Sequence, residues 1–380
     1  MPENKKNQIP IAGIFIPTIN RTEFVIRQLR YYASVQCPHT IYIGDSSTKE
    51  ESEKIDTEIK KLGSRINAKY YYLPNYNDWQ AHHYLISQVK EKYICYSGDD
   101  DYQIPNSVTQ CIEFLENHPD YTSASGYAVS FRIKDGKPYG EIQRISDYRR
   151  QQIEDNTASE RILRFFGNYY VTHFSVNRTA PMVEYWKNED NIQNHEFNEI
   201  LPTSLPVIHG KSKILDCLGF IRQIHDRQYV APSDFDLITK PTWAHEYALF
   251  EKRLAKHVAQ TDNIDITKAT ALVHQAFWLY LSKRLTVQYP QYYPSQRVKT
   301  GEMKKILGFL RSKTASHAPL FIKNWYRLAM RQKPLSGHQI HYQVTQPAFK
   351  YYKDFKPVMD SLTDPFAPPR THAVRERWTG

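Results

Sequence analysis

Three adjacent carboxylates, Asp99, Asp100 and Asp101, follow the apolar stretch Tyr93-Ile94-Cys95-Tyr96 and the dipeptide Ser97-Gly98. Carboxylates this close repel and raise one another's pKa, so where a buried strand meets a loop they demand a cation, most simply a divalent metal. The alternative is a solvated acidic turn, with Pro105 opening the next helix. Three more polar groups stand at the ends of apolar runs: Pro17-Thr18-Ile19-Asn20-Arg21, Asp45-Ser46-Ser47 and Asn75-Tyr76-Asn77. An aspartate such as Asp45 suits hydrogen bonds from ribose hydroxyls or a base N–H; equally, it suits an Asx turn with Ser46 and Ser47 opening a helix.

The residues between these groups supply the frame that positions them. Ile11 to Ile16 reads as a strand ended by Pro17, and Asn20 with Glu23 resembles a capping box opening a helix with apolar Phe24, Val25, Leu29 and Tyr32. Ile41 to Ile43, Tyr70 to Leu73 and Tyr93 to Tyr96 read as further strands, with helices over Glu50 to Leu62, Trp79 to Val89 and Pro105 to Glu116. Strands separated by helices imply an α/β domain with a mostly parallel sheet. Ligands bind such sheets beyond the carboxyl ends of the strands, so all four polar groups line one crevice. No glycine-rich phosphate loop of either common type is present, which argues against a dinucleotide oxidoreductase and a P-loop NTPase.

Composition bounds the partners. A formal charge of +10 over 380 residues implies an anionic partner without choosing among nucleic acid, membrane surface and phosphorylated small molecule. The lysines and arginines form no recognisable RNA or DNA module, so a basic nucleic-acid-binding protein is the weaker alternative. Cys37, Cys95, Cys111 and Cys217 lack metal-ligand spacing and are expected as free thiols in a reducing compartment. With no apparent signal peptide or membrane span, the expected location is the cytoplasm.

Taken together, Ile14-Phe15-Ile16-Pro17-Thr18-Ile19-Asn20-Arg21, the strand ending in Gly44-Asp45-Ser46-Ser47, and Tyr96-Ser97-Gly98-Asp99-Asp100-Asp101 resemble family 2 glycosyltransferases of the GT-A fold. The resemblance is firm over about residues 9–133, weaker to about 229, and absent beyond. It implies a GT-A catalytic domain over 1–232, nucleotide-binding to about 133 and acceptor-binding from about 134. It places Pro17, Thr18, Arg21, Asp45, Ser46, Asp100 and Arg222 around a nucleotide-sugar donor, a UDP-sugar by preference. It makes Asp99 and Asp101 a DXD pair that holds Mn2+ or Mg2+ on the donor diphosphate, with His225 near the metal. The implied reaction moves a sugar to a glycan or lipid-linked acceptor in surface polysaccharide synthesis, by inverting displacement. A carboxylate metal site also suits a nucleotidyltransferase acting on a sugar phosphate, although a glycine-rich loop near Pro17 is then missing.

The family's general base is an acidic residue on a later helix, and Glu199 or Glu196 in Glu196-Phe197-Asn198-Glu199-Ile200-Leu201 is the candidate. Phe197 departs from the family's Glu-Asp pair, and the literal pair Glu189-Asp190 lies just upstream. Tyr169 to Phe174 and Trp186 concentrate aromatic residues that suit an acceptor wall or a core. Asp135-Gly136 is a hairpin signal. A helical region is expected over 233–362, with helices in Trp243 to His257, Thr267 to Val287 and Lys304 to Arg311, followed by an irregular tail over 363–380. The stretch 319–333 reads either as an interfacial amphipathic helix, giving peripheral membrane contact, or as a helix docked on the domain.

Overall fold

The computed structural model describes residues 10–187, 192–225, 238–288 and 343–363. The chain begins as three strand-helix units: β1 (Ala12–Thr18), α1 (Thr22–Ser34), β2 (Thr40–Asp45), α2 (Lys49–Leu62), β3 (Asn67–Tyr72) and α3 (Asp78–Gln88). Then come β4 (Tyr93–Tyr96), β5 (Tyr102–Gln103), α4 (Pro105–Asn117), β6 (Tyr121–Ile133) and β7 (Ile142–Tyr148). The order continues with α5 (Ala158–Gly167), β8 (Val176–Arg178), α6 (Thr179–Tyr185), α7 (His195–His209) and β9 (Lys211–Gln223). Of the C-terminal region, α8 (Trp243–Asp262), α9 (Ile266–Gln288) and α10 (Tyr352–Ser361) are described.

One sheet runs in the order β3-β2-β1-β4-β8-β6-β9-β5, with β7 paired to β6. The first four strands are mutually parallel, β8 is antiparallel to β4 and β6, and β9 runs parallel to β6. The expected α/β class with helices on both faces is therefore what the chain forms. Alternation along β1 separates two cores: Ile14 and Ile16 face α1, α4 and α10, while Phe15 faces α3 and the layer of α5, α7, α8 and α9. A Cβ on Gly44 would lie 2.9 Å from Leu85 Cγ, so a side chain there would push α3 off the sheet.

Two local expectations are corrected. Pro17 does not end β1; it lies inside the strand opposite Gly44. Pairing with β4 stops at Phe15, so the missing proline N–H costs no bond on that side. Asn20 and Glu23 form no capping box: α1 starts at Thr22 after Arg21, which makes no side-chain cap. Asn20 sits at φ 52° and ties two loops together, its N–H donating to Ser47 Oγ at 2.7 Å and its Oδ1 accepting from the Thr48 N–H at 3.2 Å. The Asp135-Gly136 turn does join an antiparallel pair, β6 and β7.

Helices α8 and α9 pack on α5 and α7, and α10 packs on α1 across the sheet from them. The stretches 304–311 and 319–333 and the tail from 364 lie outside the described residues. No helix among the described residues is long and apolar enough to cross a membrane. The four cysteines are buried and unpaired.

Candidate active site

The loop Ser97–Asp101 leaves the end of β4 and is buried throughout its carboxylates, with Asp99, Asp100 and Asp101 between 3% and 4% exposed. Helix α1 holds it from beneath. Gln28 Nε2 donates to the carbonyls of Gly98 at 2.8 Å and Asp101 at 2.6 Å, and Arg27 Nη2 donates to the Asp100 carbonyl at 3.0 Å. From the end of β9, the Gln223 N–H donates to Asp101 Oδ1 at 3.0 Å, and Gln223 Oε1 accepts from Arg27 at 2.7 Å. Burying polar groups this deeply is tolerable only because the backbone of the loop is so fully hydrogen-bonded.

The cation that the carboxylates demand is supplied from within the chain. Arg21 Nη1 lies 3.1 Å from Asp99 Oδ1 and Nη2 lies 2.6 Å from Asp100 Oδ2. His225 Nε2 is 2.7 Å from the same Asp100 oxygen and 2.9 Å from Arg21 Nη2. Phe24 backs both, stacking on the His225 ring at 4.9 Å with the Arg21 guanidinium 4.9 Å from its centroid. Thr18 Oγ1 donates to Asp99 Oδ2 at 2.7 Å. Arg222 donates to the Tyr148 hydroxyl at 3.1 Å, and Asp101 raises its pKa against the opposing effect of burial.

The three carboxylates fare differently. Burial pushes Asp99 up to about 7 against the attraction of Arg21, and pushes Asp101 well above the carboxylate range with Asp100's charge adding to it. Asp100 alone is held low, because His225 and Arg21 together outweigh its burial. Two acids with raised pKa values in a buried loop leave room for more positive charge.

Among the described residues no three His, Cys, Asp or Glu side chains converge as a ready-made metal centre. Yet a Cβ built on Gly98 would lie 2.8 Å from Asp100 Oδ1 and 2.9 Å from Asp101 Oδ2, too close for any side chain, so the glycine is what lets two carboxylate oxygens approach the same point of the loop. That donor set fits a hard divalent ion such as Mg2+, which takes one or two carboxylates and completes its shell with water and phosphate. Asp100 and Asp101 come together at Gly98; Asp99 is turned to Thr18 and Arg21, and His225 to Asp100.

Asp45 is fully buried and makes the Asx turn: its Oδ1 accepts from the Ser47 N–H at 2.8 Å and its Oδ2 from the Tyr70 hydroxyl at 2.7 Å. The Ser46 N–H donates to the Thr18 carbonyl at 2.9 Å, joining the ends of β1 and β2. Buried polar atoms without a protein partner gather on these residues: Arg21 Nε, Ser46 Oγ and Arg222 Nε. Asn77 caps α3 through a capping box with Gln80.

On the acceptor side the two glutamates of α7 point to different neighbours. Glu199 accepts from the Tyr169 hydroxyl at 2.9 Å, whereas Glu196 accepts from Tyr280 of α9 at 2.8 Å with Arg284 at 3.6 Å. Phe197 is a core residue stacked on Phe250 at 4.9 Å, which gives the departure from a Glu-Asp pair a packing reason. Glu189-Asp190 lies outside the described residues. Tyr170, Phe174 and Trp186 are buried, as core aromatics are.

Sequence reasoning missed Arg27, Gln28, Gln223, Tyr70 and His82. Gln28 carried a usable signal, because it stands on the apolar stripe of α1, between Val25 and Leu29 and Tyr32, where a polar residue needs an explanation. Arg27 and Tyr70 carried none.

No protein-family model matches the chain, and no curated protein matches it. Among solved structures it is similar to S. aureus TarS 1–349, at 13% identity and a TM-score of 0.45, covering 79% of each chain. It is likewise similar to TarS 1–349 in complex with UDP-GlcNAc, at 14% identity and a TM-score of 0.40, and to the same protein with UDP, at 14% and 0.38; each pairing covers 76% of this chain and 93% of the other. At such distance the chemistry has to be argued from this chain's own residues.

Proposed function

We propose that the chain is a glycosyltransferase that moves a sugar from a nucleotide-sugar donor, first of all a UDP-sugar, to a glycan or lipid-carried hydroxyl in surface polysaccharide synthesis in the cytoplasm. The observation that carries this reading is the buried acidic loop at the carboxyl end of four parallel strands, compensated by Arg21 and bordered by buried polar atoms that lack protein partners. A diphosphate brings acceptor oxygens for the unpartnered arginine nitrogens, and a divalent ion on it takes the place of the missing positive charge. A neutral ligand would leave both needs unmet.

In this reading Thr18, Asp45 and Ser46 form the nucleotide end, with Pro17 in the last stretch of β1 beneath it, and Arg21 and Arg222 face the diphosphate. Asp101 with Asp100 would hold Mn2+ or Mg2+; Asp99 joins them by releasing Thr18 or Arg21. A divalent ion bound there neutralises the charge that develops on the departing diphosphate. His225 fixes Asp100 and so sets the geometry of the loop. Glu199, rather than Glu196, is the α7 carboxylate available to the acceptor, since Glu196 is tied to α9. Residues 1–232 would carry the chemistry and 233–362 would buttress it through α8, α9 and α10.

Thermal stabilisation tests the reading. Sugar nucleotides and nucleoside diphosphates, each with and without Mn2+ or Mg2+, should include one that stabilises the protein by about 2.7 kcal/mol at a hundredfold excess over Kd. Asp99→Ala with Asp101→Ala should abolish the metal-dependent part. Absence of a shift with every nucleotide, or a full shift in the double variant, overturns it.

A further inference from the structure

A second group of buried polar atoms surrounds His82 on α3. Its ring lies flat on the Trp186 indole, 5.3 Å away at 8°, with the rings of Tyr96 at 4.9 Å, Phe15 at 5.8 Å and His173 at 6.4 Å around it. Asp78 fixes its orientation, since His82 Nδ1 lies 2.9 Å from the Asp78 carbonyl and 3.2 Å from its Oδ1. That commits Nδ1 and turns Nε2 away from α3. Trp186, 2% exposed, has Nε1 buried without a partner, and His173, 7% exposed, has Nδ1 buried without a partner. Unpaired buried groups of this kind are costly, and two such atoms beside the His82 ring point to a polar ligand there.

The donor and acceptor chemistry narrows that ligand. An indole N–H only donates, while a neutral imidazole nitrogen without its proton only accepts. Burial and neighbouring His82 hold the His173 pKa well below its ordinary value, so it is neutral, and with Nδ1 protonated it donates beside the indole to a hydroxyl oxygen whose own proton is left for His82. An alcohol hydroxyl accepts from the indole and donates to an imidazole; a fully ionised phosphate has nothing to donate. The place is also right. Tyr96, which packs on both histidines, runs directly into Ser97 and the acidic loop, and the charge of Glu199 on α7 reaches His82 from the other side.

We infer that His82, His173 and Trp186 form the subsite for the acceptor hydroxyl, and that His82 Nε2 takes its proton; the second half rests on the glycosyl-transfer reading above. As the acceptor oxygen bonds to the anomeric carbon, its proton passes to Nε2. The bond from the anomeric carbon to the diphosphate oxygen breaks, and its electron pair leaves with the nucleoside diphosphate. Asp78 holds the resulting imidazolium through Nδ1–H, which makes it a positioning residue. The groups facing His82 are Asp78 on its own helix, His173 after α5, Tyr96 on β4 and Glu199 on α7, with His195 acting on Asp78. Burial lowers the His82 pKa, but Asp78 outweighs it and the pKa lies above its ordinary value, so transfer should fail on the acid side.

The test uses the whole chain with methyl glycosides as the hydroxyl probe. In protein labelled with 15N at histidine, the probe should move the imidazole resonances of His82 and His173. Trp186→Phe, which keeps the stack and loses the N–H, should weaken that response about threefold or more. Unmoved resonances at about 100 mM probe, where a millimolar Kd would saturate, overturn the subsite whatever the donor is. With a panel of sugar nucleotides, His82→Gln should lower transfer about 10²–10⁴-fold and remove the acid limb of the pH profile, while nucleotide stabilisation persists. Should His82→Gln not fold, Asp78→Asn at the solvent-exposed start of α3 should shift that limb to lower pH. A limb unchanged in both variants overturns the base assignment. A wild-type protein that neither binds nor turns over any sugar nucleotide overturns the transfer reading and the base with it, while the resonances still decide the hydroxyl subsite.

Discussion

The acidic loop and the ring cluster lie on either side of Tyr96 and handle buried polarity in opposite ways. In the loop, charge answers charge: Arg21, His225 and Thr18 converge on the carboxylates, and Arg27 and Gln28 satisfy the backbone. In the cluster, aromatic surface does the packing and ring nitrogens are left over. A charged site must be compensated before its ligand comes, because an unpaired buried charge costs several kcal/mol. A site for a neutral hydroxyl can leave a few dipoles waiting at much lower cost.

The hardest blow to this contrast would come from Arg27→Met. Removing a buried guanidinium that donates to the Asp100 carbonyl and to Gln223 should cost about 3 kcal/mol in denaturant unfolding by leaving both acceptors unpaired, and a loss under about 1 kcal/mol would mean that Arg27 does not hold the loop. Next is Gly98→Ala, whose methyl group would press on the Asp100 and Asp101 carboxylates at 2.8 and 2.9 Å and force them apart. The fold should survive, and metal-dependent nucleotide binding should weaken about tenfold or more, equivalent to about 1.4 kcal/mol; unchanged binding would remove the ion from those two carboxylates. Glu196→Gln and Glu199→Gln sharpen the other side. The first should lower stability by about 1 kcal/mol through Tyr280 and leave acceptor-dependent rate nearly intact; the second should cost a similar amount through Tyr169 and lower the acceptor-dependent rate as well.

The smallest effect belongs to a histidine pair remote from both sites. His209 Nε2 and His257 Nδ1 are 2.9 Å apart where α7 meets α8. Burial, then His209, lowers His257 to about 4, and burial lowers His209 as well. A histidine whose folded pKa lies below its unfolded value stabilises fully above the unfolded pKa, and that contribution is lost as pH falls. Stability should therefore decline as pH falls from about 6.5 toward about 4, and His257→Gln should flatten part of that decline in a pH series of melting temperatures. An unchanged slope would show that the pair does not titrate with folding.

The contrast also explains what could be read in advance. Apolar runs and helix periods located β1 to β4 and α1 to α4 within a few residues, and the alternation of strands and helices led to the α/β class. The acidic loop was conspicuous because three charges in a row are chemically loud. What compensates them was not, because Arg21, Arg27, Gln223 and His225 meet the loop only after folding brings positions up to 204 residues apart together. Pro17 misled because a proline ends most strands, and nothing local reveals that one side of β1 is free of pairing at that point. The ring cluster was half legible: Tyr169 to Phe174 and Trp186 stood out as aromatic, but nothing marked His82 or told a wall from a core. Buried aromatic residues look alike in sequence whether they fill a core or wait for a ligand.

Helix α10 packs Phe355 and Val358, both fully buried, into the core shared with α1, and Ser361 meets the Tyr102 hydroxyl at 2.9 Å across 259 positions of sequence. The strands and helices that form the donor crevice are thus synthesised long before the segment that closes their underside. During translation α10 can cover Tyr31, Tyr102 and the outer face of α1 only after residues 352–361 leave the ribosome, so the layer beneath the acidic loop is completed late. Competence to bind a donor would then arrive late in the protein's synthesis, although the residues that touch the donor are made first.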